Sequence, residues 1–205
     1  MATPGIDWPA VPLPPGSTGE RVTDHMKNNG VDMRASRFTT TRSIDEVVRF
    51  YQQEWPDRNV VNRLGSKTIV GHAQGDYYVT ITLGNLGGAT QGTVGTTKMP
   101  TGKTDYVMGG GFDKPPNTKV FNDLRYYDTP SESRTLGMVN GLSPYQNYQY
   151  YARRLPAGGW RLQKGQACAL PAAACVAVFE KGDGRMAITL ERTIDSRTRT
   201  VVNIE

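Results

Sequence analysis

Two stretches decide the fold: SIDEVVRFYQQEWP, residues 43–56, and SPYQNYQYYARRLP, residues 143–156. The first reads as a helix from end to end. Ser43 is a natural N-cap, and Glu46 stands three residues on to complete a capping box. Ile44, Val47, Val48, Tyr51 and Trp55 follow the i, i+3, i+4 spacing of one buried face, and Pro56 ends the element. The second stretch has the same plan one hundred residues later. Ser143 caps, Pro144 takes the first helical position, where its missing N–H costs nothing, and Tyr148, Tyr151 and Leu155 carry the face. Asn147 stands where the first copy has Val47, so this face is more polar.

Working outward, the flanks also correspond. PPGSTGERV at Pro14-Pro15 matches PPNTKVFND at Pro115-Pro116, and GDYYVTITL at Gly75 matches GDGRMAITL at Gly182. The offset grows from 100 to 107 between helix and strand, and the added residues fall at Cys168–Cys175. Several anchors in one order, with length changes confined to loops, indicate a tandem duplication.

Alternation and turn chemistry place the strands. Val79, Ile81 and Leu83 alternate with Tyr78, Thr80 and Thr82, and Met186, Ile188 and Leu190 repeat the pattern. Asn29-Gly30 is the strongest two-residue hairpin signal and separates 20–27 from 31–39. The expected class is α+β: a tandem duplication of a ββαβββ module, antiparallel sheets with one helix per copy. The expected organisation is a Pro-rich lead-in over 1–19, a first repeat over 20–98, a Gly-rich linker over 99–114 and a second repeat over 115–205.

The chain has 205 residues, 37% of them apolar, and no run reaches the roughly 18 apolar residues of a spanning helix. Its net charge of +5 comes from 24 basic and 19 acidic side chains that are scattered rather than gathered on one segment, which disfavours nucleic acid as a partner. The start, MATPGIDWPAVPLPPGSTG, lacks the basic and apolar regions of a signal peptide. The expectation is an exported protein whose signal has been removed, periplasmic or extracellular, with a cytoplasmic location as the alternative. Cys168 and Cys175 are the only cysteines, too few for a tetrahedral zinc site without nearby His. They read as a disulfide, which implies an oxidising compartment.

The residues Pro14-Pro15-Gly16, Val47-Val48-Arg49-Phe50-Tyr51, Tyr150-Tyr151, Leu155 and Gly159-Trp160 resemble a loose class of uncharacterised bacterial exported proteins and lipoproteins with a V-x-x-F-Y-x-x-x-L…G-W helix–strand motif. The first copy departs from it, having Asp57-Arg58-Asn59 in place of the Gly-Trp step. The resemblance implies export and no catalytic residue.

Chemistry is sparse. His25 and His72 are the only histidines, and no G-x-S-x-G elbow is present. Gly102-Lys103-Thr104 mimics the end of a phosphate loop, but Thr97 stands where that loop needs Gly. No metal, cofactor or catalytic set is expected. Exposed Tyr beside Arg is what interfaces enrich, so Tyr145, Tyr150, Arg153, Arg154 and Tyr126 are the candidate binding residues. The expected function is a non-enzymatic binding or assembly protein of the bacterial cell envelope, acting on another protein. The alternatives are a hydrolase-type enzyme with a site between the repeats, or a binder of nucleic acid or anionic surfaces.

Overall fold

The two helices form where the caps place them. In the computed structural model, which describes residues 5–102, 105–128, 132–163 and 168–205, α1 spans Ile44–Glu54 and α2 spans Pro144–Arg154. Both open on a complete capping box: the Ser43 hydroxyl accepts from the Glu46 N–H while Glu46 accepts from the Ser43 N–H, and Ser143 and Gln146 repeat the exchange. Such a cap satisfies two of the N–H groups that a helix start leaves orphaned.

The balance of structure differs from the expected α+β class. Strand accounts for 51% of the described residues and helix for 14%, so the chain is a predominantly antiparallel β protein. The strands are β1 (Thr18–Asn28), β2 (Val31–Thr40), β3 (Asn59–Leu64), β4 (Lys67–Gln74), β5 (Tyr77–Leu86) and β6 (Ala89–Lys98), then β7 (Lys119–Tyr126), β8 (Ser133–Asn140), β9 (Arg161–Leu162), β10 (Ala174–Lys181), β11 (Gly184–Arg192) and β12 (Thr198–Ile204). Four strands follow each helix where three were expected. The additional ones, β3 and β9, lack a clean alternation: β3 reads NVVNRL, and β9 has only two residues.

The described residues within 1–26 and 31–104 form one compact unit, and those within 27–30 and 105–205 form the other. In the first unit the strands lie in the order β3-β4-β5-β6-β2-β1; in the second the order is β9-β10-β11-β12-β8-β7. Element by element these orders are the same. In both, the helix carries the chain from an inner strand to the end of the sheet, from which a meander returns beside the strand that preceded the helix. Residues 105–114 belong to the second unit, where Phe112 is buried in the core. Each unit also has a Pro-Pro turn just ahead of β1 or β7, closed by Ser17 N–H to Pro14 C=O in the first and Thr118 N–H to Pro115 C=O in the second. The turn needs a positive φ, which Gly16 supplies at +77° and Asn117 at +59°.

Each core lies between helix and sheet. In the first unit Val47 and Tyr51 of α1, with its C-cap Trp55, meet Phe38, Val70, Val79, Ile81, Leu83 and Val94. In the second, Tyr148, Tyr151 and Leu155 meet Leu136, Met138, Phe179, Met186, Ile188, Leu190 and Val202, with the Cys168–Cys175 disulfide at the margin. Burial pushes the Tyr51 and Tyr151 phenols far above the usual range.

The polar Asn147 is accounted for by its partner. Asn140 Nδ2 donates to Asn147 Oδ1 at 2.8 Å, and Asn147 Nδ2 donates back to Asn140 Oδ1 at 3.0 Å. Asn147 Nδ2 also reaches Ser143 C=O at 3.0 Å, and Asn140 Nδ2 reaches the Thr118 hydroxyl at 3.1 Å. The corresponding positions of the first unit are Thr40 and Val47. Asn147→Val alone removes both Asn147 bonds from the buried Asn140 amide, leaving it those to the Thr118 hydroxyl and the Leu142 N–H, and is expected to cost about 1–3 kcal/mol. Adding Asn140→Thr recreates the first unit's pair and should recover most of that loss in a denaturant titration.

Candidate functional site

The exposed side of α2 forms an open groove of about 650 Å³ lined by Leu142, Tyr145, Gln146, Gln149, Tyr150, Arg153 and Arg154. These positions recur at alternating spacings of three, one, three and one, which is a single stripe along a helix. Positions 144, 147, 148 and 151 form the buried face. Tyr145 and Tyr150 are half-buried, their rings packed on the edge of the core, while Gln146, Arg153 and Arg154 are exposed. Tyr150 meets the buried Tyr151 edge to face at 5.4 Å. Its hydroxyl donates to Lys114 C=O at 2.9 Å, which fixes the ring. Arg154 Nε stands 3.5 Å from Asp113 Oδ2 in a largely exposed pair, whereas Arg153 has no acidic partner among the described residues. Both arginines lie in the last helical turn, where cations complement the helix dipole.

The corresponding stripe on α1 differs: Arg42, Asp45, Glu46, Arg49, Phe50, Gln53 and Glu54 carry three carboxylates, and the α2 stripe carries none. Four of the five residues singled out from sequence therefore line one groove. Tyr126 does not; it ends β7, half-buried.

One wall of the groove depends on a carboxylate that sequence reasoning did not single out. Asp123 is fully buried. Arg134 grips it with two bonds, Nε to Oδ1 at 2.9 Å and Nη2 to Oδ2 at 2.7 Å, and the Gly109 N–H donates to Oδ2 at 2.7 Å. Arg134 Nη1 then holds Gly110 C=O at 3.1 Å. Lys114 Nζ donates to Gly109 C=O at 3.1 Å, so the segment that presents Asp113 and Lys114 to α2 is anchored on Asp123. The backbone of Asp123 exchanges bonds with Asn29, accepting from its N–H at 2.9 Å and donating to its Oδ1 at 2.8 Å. A β-bulge puts the carboxylate there. The register skips Phe121 between Val120 and Asn122, so Val120 and Asp123 both face inward, which regular alternation forbids.

The remaining candidates separate. His25 Nε2 lies 2.7 Å from Asp32 Oδ1 across the β1–β2 hairpin, partly exposed, and does not line the α2 groove. His72 stacks flat on Trp55, with ring centres 4.5 Å apart and planes 4° from parallel, as a packing residue. Lys103 and Thr104 of the phosphate-loop mimic lie outside the described residues. Among the described residues no group of three His, Cys, Asp or Glu side chains is placed to hold a metal ion, and no helix is long and apolar enough to cross a membrane.

Burial works against ionisation of Asp123, but Arg134, the Gly109 N–H and Tyr106 outweigh it and bring the carboxyl down to about 2. Its folded pKa thus lies below the unfolded one. The corresponding stability, about 2 kcal/mol, is present above pH 4 and is lost as pH falls through the folded value. Acid titration of wild type should show this component, and Asp123→Asn should remove it while leaving the largely buried Arg134 without its carboxylate, at a cost of about 3 kcal/mol.

Comparison with known proteins found no family model, curated protein or solved structure that matches this chain.

Proposed function

We propose that this chain is a non-enzymatic binding or assembly protein of the bacterial cell envelope, and that α2 is its contact surface for an acidic segment of another protein. The observation that carries the reading is the composition of one groove: two half-buried tyrosine rings, one fixed by its hydroxyl, two glutamines and two arginines, with no carboxylate among the lining residues. Half-buried aromatic rings offer contact area at little entropic cost, and an arginine without an acidic partner is available to a carboxylate from outside. The helix that corresponds to α2 carries an acid-rich stripe instead, so the groove is a specialisation of one unit on a framework common to both. That common framework, down to strand order, supports the reading of a tandem duplication. The Cys168–Cys175 disulfide supports an oxidising, extracytoplasmic compartment.

A photo-crosslinking residue at Gln149, with the same residue at Arg49 of α1 as control, tests the proposal in envelope fractions. The expected result is a discrete adduct from position 149 alone. Arg153→Glu should weaken capture at least tenfold, which is about 1.4 kcal/mol. Equal labelling from both helices would overturn it, as would capture of RNA or acidic vesicles with a steep salt dependence.

A further inference from the structure

The first unit ends on β3, and its outer edge is a fully formed strand. All six residues pair with β4, from Asn59–His72 to Leu64–Lys67, with neither a bulge nor a proline. The Gly65-Ser66 turn joins the two strands, which makes Leu64–Lys67 the closing hydrogen-bonded pair. Hydrogen-bonded and non-bonded pairs alternate along an antiparallel ladder. Asn59, Val61 and Arg63 therefore direct their N–H and C=O groups away from β4, and no backbone partner for them is present among the described residues.

Proteins ordinarily blunt such an edge with charge, proline, a bulge or brevity. The second unit does so: the corresponding strand, β9, has two residues and covers only Phe179 and Glu180 of β10. On β3 the outward devices are missing. Its one charge, Arg63, stands 3.5 Å from Asp45 of α1, and Val60 and Leu64 are 51% and 71% exposed on the opposite face of the sheet.

We infer that β3 is the self-association edge of this protein, pairing antiparallel with β3 of a second copy about a two-fold axis at Asn62. The side chains select this occupant and this register. Val60 and Leu64 lie two residues on either side of Asn62, so the axis sets each Val60 against the second copy's Leu64, apolar on apolar, in the non-bonded sites where side chains approach most closely. Val61 and the second copy's Arg63, both with outward-facing backbone, then exchange main-chain hydrogen bonds. A two-fold axis makes this interface isologous and closed, so it yields a dimer rather than a fibre.

The test uses the full chain in its oxidised form. Light scattering should give twice the monomer mass, falling to one on dilution. Asn62→Cys places two thiols at the axis, about 4.5 Å apart at Cα, a spacing a disulfide spans. Mild oxidation should convert it to a 62–62 linked dimer, identified by peptide mapping. Arg63→Pro deletes an outward N–H without touching the β4 ladder, and Leu64→Lys sets a charge against the facing Val60. Each should weaken dimerisation at least tenfold while leaving the monomer's circular dichroism unchanged. A wild type that stays monomeric at every concentration would overturn the inference. A dimer indifferent to Arg63→Pro and Leu64→Lys, or an Asn62→Cys chain that fails to cross-link at 62, would do the same.

Discussion

The second unit depends on one buried ion pair. A fully buried carboxylate is costly unless its hydrogen-bonding capacity is met, and Asp123 meets it with Arg134 and the Gly109 N–H. Such pairs contribute little net stability against an apolar replacement, but they penalise every arrangement that breaks them. Here the penalty selects one path for residues 109–114: Arg134 takes Gly110, Lys114 returns to Gly109, and Lys114 C=O receives the Tyr150 hydroxyl. The orientation of a ring in the α2 groove is thereby set by a carboxylate on β7. The interaction thus specifies geometry more than it supplies stability.

The two units show how one framework tolerates different interiors when changes are paired. In the first, the Phe38 ring lies directly over Gly92, its partner across the β2–β6 ladder, and a Cβ at Gly92 would stand 2.2 Å from the ring. In the second, the matching pair is Met138 and Thr200. Large over absent in one unit is medium over small in the other, which keeps the volume roughly constant, as a close-packed core requires. Thr40 with Val47 against Asn140 with Asn147 is the polar counterpart, in which a second amide arrives together with the first.

What the sequence made legible was local. Ser43, Glu46, Ser143 and Pro144 fix helix starts through contacts within four residues, and the helical period that buries Tyr151 also places Tyr145, Tyr150, Arg153 and Arg154 on one outer stripe. What it hid was non-local. β3 is a strand because β4 lies beside it, not because NVVNRL alternates, and β9 is two residues held by β10. They are only part of the difference in class: among the described residues twelve strands stand against two α-helices, so sheet dominates even without them. Asp123 escaped notice because a bulge reverses its facing, and a bulge leaves no mark in composition. Asn29 is the turn residue that Asn-Gly predicts, but its bonds to Asp123 join positions 94 apart in sequence.

That last contact bears on how the chain divides. Because residues 27–30 count with the second unit, this unit is not one uninterrupted stretch of polypeptide. A fragment cut to begin at residue 105 would keep every strand of its sheet and both members of the ion pair, yet Asp123 would lose the amide and the carbonyl oxygen that Asn29 supplies. During synthesis, the turn that completes the second unit emerges long before the strand it serves. The early half of the chain thus holds a small part of the later half in trust, and a cut between the halves severs it.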